Sequence, residues 1–160
     1  MNLLVYLFLL IAGCICLQYV RGVDKKDADA GFILLSDLPD LLNKLYSTGN
    51  NGSYFVLSVP GTEDRDGYFA NIQFCMEECE VGLEWVLLAE RNIQDKEEFL
   101  NIISEYGLEA KELSCNGTDC IRVENTRELL VSVASEIFKK MYRVTDSTSI
   151  RLAITDFLWR

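Results

Sequence analysis

The strongest constraint on the fold is an amphipathic segment near the C-terminus, which begins at Asn125 or Thr126. Its apolar residues recur at intervals of three and four, which places them on one face of a helix. They are Leu129, Leu130, Val133, Ala134, Ile137, Phe138 and Met141. Most of the stability of such a helix comes from packing its apolar face against another element. The chain must therefore supply a second layer with an apolar face of its own.

Strand-like runs elsewhere in the chain supply that layer. Three consecutive runs are rich in aromatic and β-branched residues and are separated by turn-forming clusters; they are residues 53–59, 68–74 and 83–90. Two later runs, at 108–115 and 120–124, predict a hairpin. Alternating apolar and polar residues predict a last strand within residues 149–159.

Two further helices are predicted among the strands. The first covers residues 36–48, with Ser36 or Asp37 as its cap. The second starts at Asp95, which has Glu98 three residues later, as in a capping box. The predicted order is α-βββ-α-ββ-α plus a C-terminal strand. This order indicates an α+β fold, in which an antiparallel sheet has its helices on one face.

The N-terminal segment is strongly apolar and has three interpretations. It is typical of a cleaved signal peptide, with the cut before Val23. The residues that end at Cys14 resemble a lipidation signal. Residues 3–20 are also long enough to act as a retained membrane anchor. The predicted organisation is a signal peptide or membrane anchor in residues 1–22, a charged linker in residues 23–30 and a single α+β domain in residues 31–160.

The chain is strongly acidic. Its 25 Asp and Glu residues outnumber its 15 Lys and Arg residues, so the formal net charge is −10. A surface of this charge repels nucleic-acid phosphates and anionic lipid headgroups. We therefore expect a protein partner and no nucleic acid. We expect contact with a membrane only through the N-terminal segment, if that segment is not cleaved.

Four cysteines follow the N-terminal segment as two closely spaced pairs, Cys75 with Cys79 and Cys115 with Cys120. Both pairs flank predicted hairpin turns in a domain that we expect to be secreted or extracytoplasmic, which favours two local disulfides. Disulfides between the two hairpins, a zinc site of four thiolates and free thiols are the alternatives. Zinc is the weaker interpretation because the cysteine spacings exceed the usual two residues and the chain contains no histidine.

Two sequons and an apolar C-terminus are further candidate sites. Asn51 and Asn116 each begin an Asn-Gly-Ser/Thr sequence that N-glycosylation requires, although Asn-Gly is also ordinary turn chemistry. Phe157, Leu158 and Trp159 form an apolar cluster at the chain end. We identify these three residues as candidates for covering a sheet edge or binding a partner.

No sequence motif predicts catalysis. Without histidine the chain lacks the commonest general base, and it has no nucleophile-elbow, zinc-protease or phosphate-loop motif. Glu84 and Glu90 near Trp85 could act as paired carboxylates, but a solvated strand face is the preferred interpretation. The polar turn at 62–68 resembles only part of an EF-hand loop. We therefore predict no catalytic residue, no metal and no cofactor.

Several segments follow an order known from a group of bacterial proteins. They lie within residues 32–144 and read LPDLLNKLYSTG, YFANIQF, EWVLLAERNI, EYGLEAKEL and ELLVSVASEIFKKMYRV. This order resembles type III secretion chaperones, actinobacterial chaperone-like domains and a group of bacterial sensory transduction regulators. The resemblance implies a non-enzymatic module that binds other polypeptides, often as a dimer.

The leading functional prediction is an exported, disulfide-stabilised, chaperone-like domain that binds a protein partner. Its mechanism would be burial of a partner segment on the apolar side of a helix or along a sheet edge. The alternative is a membrane-anchored cytosolic chaperone or regulator with reduced cysteines. An enzyme that uses carboxylates alone is the weakest candidate.

Overall fold

A seven-stranded antiparallel sheet forms the centre of the structure, a computed structural model that describes residues 28–115 and 118–157. The strands are β1 (Ala28–Ile33), β2 (Tyr54–Ser58), β3 (Asn71–Glu77), β4 (Glu80–Val86), β5 (Ala110–Cys115), β6 (Thr118–Glu124) and β7 (Ile150–Thr155). Their order across the sheet is β1-β7-β2-β3-β4-β6-β5. The C-terminal strand therefore lies between the two strands that come first in the chain.

Four helices pack on the sheet within the described residues. They are α1 (Leu38–Thr48), α2 (Glu90–Gln94), α3 (Lys96–Glu105) and α4 (Arg127–Tyr142), and a 3₁₀ turn at Leu35–Asp37 precedes α1. Helix α4 contacts α1, α3 and β4, and α1 also contacts β3. The predicted α+β fold, with an antiparallel sheet and helices, is confirmed.

One continuous apolar core lies between the sheet and the helices. Alternate strand residues point into it, as the two-residue period of a strand requires, and they meet the apolar stripes of α1, α3 and α4. The largest fully buried apolar side chains include Trp85, Phe55, Phe74, Phe99 and Phe138. The helices therefore lie on one face of the sheet, and the other strand residues point to the opposite face.

Trp85 on β4 is a core residue. Its ring stacks on Phe99 with the ring centroids 4.7 Å apart, and Tyr142 stacks near it at 6.5 Å. The indole Nε1 donates a hydrogen bond to the backbone oxygen of Asn92 over 2.9 Å. Because its one polar atom is satisfied, this large side chain can be buried without the cost of an unpaired donor.

Asn92 fastens the short helix α2 to the sheet. Its side chain is fully buried. The Nδ2 group donates to the backbone oxygens of Asn71 and Val86, both over 2.9 Å, and Oδ1 accepts from the backbone nitrogen of Asn71 over 3.0 Å. Helix α2 was not predicted, because a five-residue helix has too few turns to produce a recognisable apolar stripe.

Strand β1 is the main departure from the predicted order. Residues 23–30 were predicted to be a charged linker, but β1 begins at Ala28 and pairs with β7. Its sequence contains Asp29 and Gly31, which are poor strand formers, and Gly31 has a positive φ of 95° next to a break in the register. The pairing with β7 joins residues more than 110 positions apart, so no local pattern could indicate it.

The other predicted elements are present with shifted ends. Strand β4 begins three residues before the start of the run predicted at 83–90, and β3 begins three residues after the start of the run predicted at 68–74. The interpretations of residues 1–22, including lipidation of Cys14, fall outside the described residues. Among the helices that the structure describes, none is both long and apolar enough to cross a membrane.

Candidate functional site

The face of the sheet opposite the helices has a row of side chains across its centre that are apolar on β7 and β2 and polar on β3, β4, β6 and β5. The strand register aligns Ala153, Val56, Gln73, Glu84, Arg122 and Lys111 from β7 through β2, β3, β4 and β6 to β5. Their neighbours along β7, β2, β3, β4 and β6 point into the core, and the register places Lys111 of β5 beside Arg122, so these side chains share the opposite face. We call this surface the polar face.

Arg122 lies at the centre of a buried ionic network on the polar face. Its side chain is only 1% exposed. The guanidinium nitrogen Nη1 donates to Glu84 Oε1 over 2.6 Å and lies 3.3 Å from Glu77 Oε2, while Nε donates to Glu124 Oε1 over 2.8 Å. A fourth contact, from Nη2 to the backbone oxygen of Cys75, is longer at 3.5 Å. Three strands are therefore joined through one cation.

The carboxylates around Arg122 have further donors. Gln73 Nε2 donates to the second oxygen of Glu84 over 2.7 Å, and Lys111 Nζ donates to the second oxygen of Glu124 over 2.7 Å. Both oxygens of these two carboxylates are therefore hydrogen-bonded. Such full pairing is what makes a buried charge tolerable.

The surroundings change the pKa values of these groups in opposite directions. Burial raises the pKa of Glu84 above its usual value, although Arg122 and Gln73 act against the shift. Burial also acts to lower the pKa of Arg122, but the hydrogen bond to Glu124 and the charge of Glu84 outweigh it and the pKa rises. Hydrogen bonds from Lys111 and then Arg122 lower the pKa of Glu124. Arg122 therefore stays charged.

Gly82 makes room for the guanidinium. It lies between Cys75 and Glu124 in the register of the sheet. A Cβ atom at this position would lie 2.6 Å from both Cζ and Nε of Arg122. Arg122 can therefore lie flat across β4 only because residue 82 has no side chain.

The same cluster contains a set of groups that could bind a metal ion. One ligand atom each of Cys75, Glu77 and Glu84 lies within 4.8 Å of the others. However, Arg122 already places a cation 2.6 Å from Glu84 and 3.3 Å from Glu77. A metal ion would have to displace this buried charge, so we interpret the cluster as an ion-pair network that stabilises the sheet. The earlier interpretation of Glu84 as part of a solvated strand face is wrong, because the residue is only 4% exposed.

The predicted polar turn at 62–68 is closed by Asp64 rather than arranged for calcium. Its Oδ1 accepts from the backbone nitrogens of Asp66 and Tyr68 over 3.0 and 2.9 Å. Its Oδ2 accepts from the backbone nitrogen of Glu90 over 3.0 Å. The carboxylate therefore holds the turn together and fixes it to the start of α2.

The two edges of the sheet, β1 and β5, differ in exposed apolar surface. Phe32 on β1 is 60% exposed, and Leu34, which follows the strand, is 39% exposed. Phe32 lies opposite Arg151, whose guanidinium is 5.8 Å from the ring centroid of Phe69. At the other end, β5 bears charged side chains. We call Phe32 and Leu34 with strand β1 the β1 edge.

The cysteines do not lie opposite one another as the predicted local pairs assumed. Cys75 is buried on β3 and is aligned with Gly82, whereas Cys79 is exposed in the turn between β3 and β4. Cys120 is aligned with Leu113, and Cys115 with Thr118. The described part of the chain contains no disulfide bond, and the thiol of Cys79 is free. The side chain of Cys115 lies outside the described residues.

The remaining predicted sites lie in different places. Asn51 is exposed in the turn before β2, and Asn116 lies outside the described residues. Phe157 is partly buried, with its ring centroid 6.2 Å from that of Phe55. Leu158 and Trp159 also lie outside the described residues.

The Arg122 network and the β1 edge were not identified from the sequence. Charged residues alternate with apolar ones in the run CIRVE, which contains Arg122, but such alternation is also typical of a strand with one face in water. Only the register aligns Arg122 with Glu84. Comparisons of the chain with protein-family models, with curated proteins and with solved structures find no match.

Proposed function

We propose that the chain is a non-enzymatic, chaperone-like domain that binds a protein partner along the β1 edge. The observation that carries the proposal is the 60% exposure of Phe32 on a terminal strand of the sheet. A large apolar side chain in water favours a partner that can bury it. A terminal strand also has one row of main-chain groups directed away from its neighbour, so an extended segment can pair with it.

The opposite end of the sheet is less suited to strand addition. On β5, Lys111 pairs with Glu124 over 2.7 Å and Glu112 pairs with Lys96 over 2.7 Å. Charged side chains on an edge strand disfavour its pairing with other chains. The contrast supports β1 as the edge that receives the partner.

The acidic groups of the polar face support binding rather than catalysis. Both oxygens of Glu84 and of Glu124 already accept hydrogen bonds from neighbouring side chains. Arg122 is the counterion of both groups, and Glu84 is only 4% exposed, so a substrate cannot come within hydrogen-bond reach of Glu84. The net charge of −10 favours a partner whose binding segment is basic. We also propose export, on the basis of the apolar N-terminal segment.

Site-specific photo-crosslinking tests this proposal. A photoreactive phenylalanine analogue replaces Phe32 in the full-length chain, in cells that make the protein. The matched control carries the analogue at Ile93, which is 55% exposed on α2. We expect a discrete protein adduct from position 32 that is absent from position 93. Equal adduct formation at both positions, or none at position 32, would contradict the proposal.

A second candidate is a membrane-anchored cytosolic chaperone or regulator with reduced cysteines. The free thiol of Cys79 and the alignment of Cys75 with Gly82 favour it. A thiol count and an intact mass on the unreduced native protein separate the two candidates. Residues 1–22 contain Cys14 and Cys16, so six free thiols on a chain that keeps this segment would favour the membrane-anchored form. Two disulfides on a shortened chain would favour the exported form.

A further inference from the structure

We infer that Asn51 is an N-glycosylation site that the transferase can reach only before the sheet is complete. We also infer that the folded domain accommodates the attached glycan. The site is the sequence Asn51-Gly52-Ser53 in the turn before β2. Transfer requires both the asparagine amide and the hydroxyl of the third residue. In the folded structure Asn51 is exposed, whereas Ser53 is buried.

Ser53 is inaccessible in the folded domain. Its residue is fully buried. The hydroxyl oxygen accepts from the backbone nitrogen of Asn50 over 2.8 Å, and the hydroxyl donates to the backbone oxygen of Asp156 over 3.0 Å. The main chain of Ser53 is also fixed, because its carbonyl accepts from the backbone nitrogen of Met76 over 2.9 Å. A transferase therefore cannot reach this hydroxyl after folding.

The partner of Ser53 is among the last residues to be synthesised. Asp156 directly follows β7, and β7 pairs with β2 through Tyr54 and Thr155. Asp156 lies 103 positions after Ser53, so the chain must be made to that point before this hydrogen bond can form. An N-terminal sequon in a chain that enters the membrane translocation site therefore stays open through most of synthesis.

Asn51 itself remains compatible with a glycan in the folded domain. The residue is exposed. Its Oδ1 accepts from the backbone nitrogen of Glu78 over 2.9 Å, and glycosylation does not use this oxygen. In the reaction, Nδ2 forms a bond to the anomeric carbon of a lipid-diphosphate-linked oligosaccharide. The bond from that carbon to the diphosphate breaks, the lipid diphosphate leaves and one amide proton is released.

Translation of the chain in the presence of endoplasmic-reticulum membranes tests the first half of the inference. The variant Asn116→Gln leaves Asn51 as the one sequon, and Asn51→Gln with Asn116→Gln is the matched control. A second pair of chains has residues 1–22 replaced by a known secretion signal, so that export does not depend on the native segment. We expect one endoglycosidase-sensitive shift that requires Asn51. Its absence from the signal-exchanged chain would overturn the inference.

The second half requires the folded protein. The Asn116→Gln chain, purified without glycans, is incubated with the transferase and its lipid-linked donor, either folded or after unfolding in denaturant and dilution. We expect the glycan only on the unfolded sample, and the glycosylated chain should keep the thermal unfolding midpoint of the unmodified one within a few degrees. Equal modification of both samples, or loss of the folded state on glycosylation, would overturn the inference.

Discussion

Arg122 is the residue on which the polar face depends. Its guanidinium is in direct contact with Glu77, Glu84 and Glu124. Removing a single member of a buried ionic group leaves the other charges without compensation, which costs more than the net contribution of the pair. The residues of the network are therefore expected to tolerate joint replacement better than single replacement.

We predict that Arg122→Met lowers the free energy of unfolding by about 3–5 kcal/mol, because Glu84 is left buried without its counterion. The double variant Arg122→Met with Glu84→Met should recover at least about half of this loss, since it buries no uncompensated charge at that pair. Urea denaturation of both variants measures the difference. Equal stability of the single variant and the wild type would contradict the network as described.

A second prediction concerns Gly82. The variant Gly82→Ala should lose about 1–3 kcal/mol of stability, because the new Cβ would meet the Arg122 guanidinium. In an Arg122→Met background the same change should cost less, since the methionine can move away from β4. A double-mutant cycle measures this coupling. Additive effects of the two substitutions would show that Arg122 does not lie across Gly82.

The pH dependence of stability follows from Glu124. Hydrogen bonds lower its pKa in the folded state, so it contributes stability that is present above the ordinary carboxyl pKa and is lost as the pH falls through the folded value. We predict that Glu124→Gln is less stable than the wild type at neutral pH and that the difference shrinks as the pH falls below about 4. The matched control is Glu97→Gln on the exposed surface of α3. A difference that stays constant with pH would contradict the shift.

At the scale of elements, α4 could be predicted closely and β1 could not. The stripe of α4 is a local pattern, and the helix ends at Tyr142, one residue beyond the last predicted apolar position. The stability of β1 comes from its pairing with β7 and from the burial of Ile33. These are contacts between the two ends of the chain, which no window of sequence contains.

The Arg122 network also depends on contacts between residues that are far apart in the sequence. The residue types were visible, but Glu84 and Arg122 are 38 positions apart and meet only because β4 pairs with β6. The predicted cysteine pairs failed to align for a related reason. The turn of the β3–β4 hairpin is centred on Glu78 and Cys79, so Cys79 occupies the turn itself.

Helix α2 offers a prediction at this scale. Replacing Asn92 with Ala removes three side-chain hydrogen bonds and leaves main-chain groups of Asn71 and Val86 unpaired. We expect a loss of roughly 2–4 kcal/mol. Asn101→Ala, at an exposed position of α3, should change stability by less than about 0.5 kcal/mol. Similar effects of the two variants would contradict the role given to Asn92.

At the scale of the whole molecule, the domain has a buried apolar core, one sheet edge with exposed apolar side chains and one with charged side chains. One face of the sheet is covered by helices and the other holds a satisfied ionic network, so apolar surface on the sheet remains mainly at the β1 edge. The −10 net charge opposes self-association and favours a basic partner. These properties together suit a domain that receives an extended segment of another protein.

Hydrogen exchange of the main-chain amides tests this central claim most directly. The exchange of β1 and β5 is compared in the free chain and in the complex with the protein identified by crosslinking at position 32. We predict slower exchange in residues 28–33 of the complex and unchanged exchange in residues 110–115. Protection of β5 with no change in β1 would contradict binding along the β1 edge.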